Sequence, residues 1–152
     1  MLTDILTSLI EVGVGIAGFS SIVVTLSRHS VTTEMKLVFV QLWIQSAGII
    51  IFSAVPLLLA VANFGPDKIY TAASYLYGAF LVIAIPSALY LQRSFIPNTA
   101  YVALAFPIAV LANGVFFGEA WLYILVLILG ALGAFIAFFR LIQLVWSRSE
   151  GT

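Results

Sequence analysis

The sequence predicts an all-α fold, a polytopic integral membrane protein built as a bundle of five transmembrane helices, on three observations. Hydrophobic residues make up 63% of the chain against 8% charged, with a mean hydropathy of +1.20, whereas about a quarter of the residues in soluble domains are charged. The apolar residues come in long runs parted by short polar connectors, each run near the roughly 20 residues that one bilayer-crossing helix requires. The last run, Tyr101 to Trp146, is too long for one crossing. Asn113, Gly114, Gly118 and Glu119 interrupt it, so it fits a helical hairpin turning at Gly118-Glu119-Ala120.

With 152 residues the chain has no room for a separate soluble domain, and a single transmembrane domain over residues 1–152 is expected. Its helices fall at about 5–26, 35–62, 68–91, 100–117 and 120–146, by apolar run and flanking cap residues. Thr3 and Asp4 stand ahead of the first, which lacks the positive leader of a cleavable signal and is expected to be retained. Thr32-Thr33-Glu34 caps the second, which carries Pro56 and should bend there. Asn63-Phe64-Gly65-Pro66-Asp67 is the turn into the third, which carries Pro86. Ile96-Pro97-Asn98-Thr99 leads into the fourth and shortest, which carries Pro107. The fifth ends at Trp146 ahead of a short polar tail.

Charge sets the orientation. Five crossings gather Arg28, Lys36, Arg93, Arg140 and Arg148 on one side and leave Lys68 alone on the other. Cytoplasmic loops are the ones enriched in Lys and Arg, so the N-terminus is expected outside and the C-terminus in the cytoplasm, in a multi-pass cell membrane protein of the bacterial inner-membrane type. A four-span alternative would strand Arg140 and Arg148 outside. Tyr70, Tyr101, Trp121, Tyr123 and Trp146 fall near helix ends, where an aromatic belt belongs, and Trp43 lies deeper, as a packing residue.

Several function classes drop out. Six basic residues balance six acidic ones, leaving no basic face for nucleic acid. There is no cysteine for disulfides, thiolate chemistry or metal ligation. His29 is the one histidine, so bis-histidine haem and a buried-histidine protease are out, and Lys36 and Lys68 sit at helix ends, away from a mid-membrane Schiff base. Gly13-Val14-Gly15-Ile16-Ala17-Gly18 matches a dinucleotide fingerprint, but inside an apolar helix it has no strand before it and marks close helix packing instead. No catalytic, metal or cofactor-binding residues are expected, and no enzyme.

Two polar groups remain. Ser8, Glu11, Gly15, Gly18, Ser21 and Thr25 recur at three- and four-residue spacing and form a small, polar stripe down the first helix. Glu11 is the acid farthest from any loop, and an ionisable group at that depth is a functional candidate by default. Toward the cytoplasmic side, Gln41 and Gln45 stack one turn apart with Arg140 and Gln143 at similar depth, either a hydrophilic mouth or a hydrogen-bonded helix contact. Gly130, Gly133, Ala134 and Ala137 give the fifth helix a small surface matching the first. The expected function is a small structural or interaction subunit. It would assemble in the lipid bilayer with itself or with other membrane subunits. The alternative is a homo-oligomeric channel with Glu11 on the pore-lining stripe.

Overall fold

A backbone surrounded by lipid has no water to satisfy its N–H and C=O groups, so an apolar run closes those bonds within itself as a helix. The computed structural model describes the backbone of residues 1–26, 32–91 and 97–149, with the side chains of 26, 67, 87–91, 97–104 and 147–149 left aside. It contains α1 (Leu2–Leu26), α2 (Thr33–Val61), α3 (Pro66–Leu91), α4 (Pro97–Ala112) and α5 (Ala120–Ser149), with a π-helical turn, Asn113–Phe117, continuing α4. No strand occurs among the described residues. Four stretches, Leu2–Thr25, Thr33–Val61, Lys68–Pro86 and Ala120–Trp146, are long and apolar enough to cross a membrane.

Local chemistry sets the boundaries. The Thr32 hydroxyl accepts from the Met35 N–H at 3.3 Å and caps α2. Pro66 and Pro97, expected in turns, are instead the first residues of α3 and α4, where proline's missing N–H costs nothing. The chain reverses after α2 through Asn63, whose φ of 56° is left-handed, while the Phe64 N–H returns to the Leu59 carbonyl at 3.0 Å. At the start of α1, Asp4 lies inside the first turn and pairs with the terminal amine at 2.8 Å.

Successive helices run antiparallel. Gly13 of α1 abuts Ser46 and Ile50 of α2, Phe52 of α2 stacks on Tyr77 of α3, and Gly78 of α3 abuts Leu111 of α4. The last helix packs against both of the first two. Its Tyr123 end meets Phe52 and its Arg140 end meets Glu34, so α5 is antiparallel to α2 and parallel to α1. The central layer is thus α2 beside α5, with α1 on one flank and α3 with α4 on the other. Leu42, Leu127, Ala134 and Leu141 lie fully buried between the central helices and their flanks.

Candidate functional site

The side of α1 that enters the bundle is built from Leu6, Leu9, Gly13, Ile16 and Ser20, all buried. A methyl group on Gly13 would lie 2.7 Å from Ile50 Cγ1 and 3.2 Å from the Ser46 carbonyl oxygen, so this glycine is what lets α1 and α2 approach. The small, polar stripe is on the other side. Ser8, Glu11, Gly18 and Thr25 are exposed and Gly15 and Ser21 half-buried. At 100° per residue, the centres of the two faces are about 170° apart.

Nothing in the chain approaches within 4 Å of where a Cβ on Gly15 or Gly18 would stand. The glycine run is therefore divided: Gly13 serves packing within the chain, and Gly15 and Gly18 face open space. The Ser21 hydroxyl donates to the Ala17 carbonyl at 2.9 Å and Thr25 to Ser21 at 2.8 Å, so both are satisfied inside the helix. The side chains of Ser8 and Glu11 have no hydrogen bond or ion pair with any described residue. Beside the stripe, Val12, Gly15, Ile16 and Phe19 of α1 and Phe135 and Phe138 of α5 enclose an apolar groove of about 180 Å³. Val14, Phe19 and Ile22 flank the stripe as exposed apolar side chains.

On the opposite end, Arg140 reaches across to Glu34, Nη2 to Oε1 at 3.2 Å, a pairing that no local pattern pointed to. Both side chains are more than a third exposed, which leaves the pair a modest effect through solvent screening. Gln41 is half-buried. Gln45 points at α5, with its amide nitrogen 3.9 Å from where a Cβ on Gly133 would be and its Oε1 buried without a hydrogen bond among the described residues. Gln143 is exposed. Trp43, expected as a packing residue, stands 48% exposed on α2 with its edge against Phe39. Tyr101 and His29 lie outside the described side chains.

No protein-family model, curated protein or solved structure matches the chain. The functional reading rests on the chemistry of its own faces.

Two polar contacts hold these faces in place, and sequence reasoning missed both. Pro56 has no N–H, so the Phe52 carbonyl four residues earlier has no helical donor. The Tyr123 hydroxyl donates to that oxygen at 2.5 Å, and Tyr123 is 1% exposed, in an aromatic core with Tyr70, Tyr77 and Phe52. At the turn into α5, the buried Asn113 amide donates to Ser74 Oγ at 3.0 Å and to the Glu119 carbonyl at 3.1 Å, while its Oδ1 accepts the Glu119 N–H at 3.0 Å. Gly118 follows with φ of 64°, and a Cβ there would lie 2.6 Å from Thr71 Oγ1. Pro56 signalled an orphaned carbonyl in the sequence. Its donor, 71 residues away, carried no signal.

Proposed function

We propose that the chain crosses a cell membrane of the bacterial inner-membrane type five times, N-terminus outside, and works as a small interaction subunit. In this reading the outer face of α1 receives a transmembrane segment of another subunit. The observation that carries it is the placement of Glu11, Gly15 and Gly18: an acid and two glycines aimed away from the chain's own core, beside an apolar groove. Glycines at such spacing allow close backbone approach, and an exposed acid in lipid is costly until a neighbour covers it. The five-span count draws support from the continuity of α4 with its π turn, Pro97 to Phe117, about 30 Å of axis and so one hydrocarbon thickness. The orientation rests on the distribution of basic residues in the sequence.

The test is the mass of the particle extracted from its native membrane in mild detergent. Because Gly15 has open space around it, Gly15→Leu leaves the isolated chain folded and lowers the particle mass to that of the single chain. An unchanged mass refutes the reading. A ring of copies around a Glu11-lined pore is the second reading, since it too needs Glu11 turned outward. Val14, Phe19 and Ile22 on the same side suit a helix contact better than a water path. Conductance of the reconstituted protein that changes with Glu11→Gln would favour the pore.

A further inference from the structure

Glu11 lies nine residues past the start of α1, about 13 Å along the axis, well inside the hydrocarbon on the five-span reading. Its carboxyl group has no partner among the described residues. Asp4, one heptad earlier on the same face, is already held by the terminal amine at 2.8 Å, and α1 contains no Lys or Arg. The outer face of α1 therefore carries one carboxyl group without a match in the described chain.

A second copy of this chain is a poor match for it. Copies in one membrane share an orientation, so a two-fold contact through α1 sets Glu11 beside Glu11. In a head-to-tail ring, another face of the next copy would have to offer a cation at the same depth. The six basic residues do not supply one. Lys36 and Lys68 stand in the first turns of α2 and α3, and Arg140 is at the far end of the bundle, paired with Glu34. Arg28, Arg93 and Arg148 neighbour helix ends in the sequence.

We infer that the occupant of the α1 face is a transmembrane helix of a different protein that presents a Lys or Arg side chain at the depth of Glu11. The inference rests on the reading of that face as an assembly surface. Its apolar body lies against Gly15, Gly18 and the groove formed with Phe135 and Phe138, and its cation meets the Glu11 carboxylate one turn away. An ion pair enclosed by lipid is screened far less than one at a water surface, so the match selects its partner as well as holding it.

The experiment uses the full chain reconstituted in phosphatidylethanolamine and phosphatidylglycerol vesicles. The probes are fluorescent synthetic leucine-alanine transmembrane helices carrying Arg, Leu or Glu about 10 Å below the outer boundary. Energy transfer is expected to show the Arg helix bound about tenfold more tightly than the Leu helix, an interhelical polar contact being worth about 1–2 kcal/mol. Glu11→Gln removes that preference, and Glu11→Lys transfers it to the Glu helix. Equal binding of the Arg and Leu helices, or a preference that survives Glu11→Gln, overturns the inference. The two levels separate cleanly in native extracts. A particle that falls apart with Gly15→Leu but persists with Glu11→Gln defeats the cation and keeps the docking face, while one that persists with both defeats the docking face itself.

Discussion

Tyr123 and Asn113 are the residues on which the interior depends. The Tyr123 hydroxyl bonds a carbonyl that Pro56 has freed, in a place where no water competes. Tyr123→Phe keeps the ring and its edge contacts with Tyr70 and Tyr77 but leaves the Phe52 oxygen unpaired. The expected loss is about 1–3 kcal/mol, measured as a shift in unfolding in detergent micelles. Asn113→Ala removes two donated bonds and one accepted bond and opens the turn into α5. Its expected cost is of the same order or larger, and hydrogen exchange at the Glu119 amide should quicken while the amides of α1 stay protected. Pro56 and Asn113 were visible in the sequence as a break and a polar interruption. What they bond to depends on the register of helices far apart in the chain, and no local pattern encodes that.

At the scale of the element, α1 presents two faces with opposite tolerances. Gly13 is closed in by Ile50 and the Ser46 carbonyl, so Gly13→Leu forces α1 off α2 and is expected to cost about 1–3 kcal/mol of stability or more, as overpacking does. Gly15→Leu meets open space, and the same thermal scan on the isolated chain should leave it unmoved. Equal destabilisation by both would mean that α1 sits in another rotation about its axis. The sequence carried both glycines in a single run. A helix rich in small and apolar residues on every side does not announce which side turns inward, because lipid and protein interior are equally apolar. The stripe itself was legible; its direction was not. The same ambiguity covers Trp43 on α2, which stands exposed.

Over the whole molecule, the all-helical architecture with four long apolar helices was legible from apolar length, and α3 and α4 start at the prolines that open them. Orientation in the membrane is open to direct measurement, because the chain has no cysteine to mask. Lys68→Cys is expected to react in intact cells with a membrane-impermeant thiol reagent, and Lys36→Cys only after the membrane is opened. The reverse pattern would invert the topology, and labelling of both from outside would break the five-span count. The packing of α5 against both α1 and α2 bears on how the protein is made. Four helices leave the ribosome before the one that completes the core, so until α5 arrives the Phe52 carbonyl freed by Pro56 has no Tyr123 hydroxyl to bond. Synthesis thus passes through a stage in which the first two helices are made but not yet locked by α5, and a premature stop ahead of Tyr123 leaves the chain in that stage.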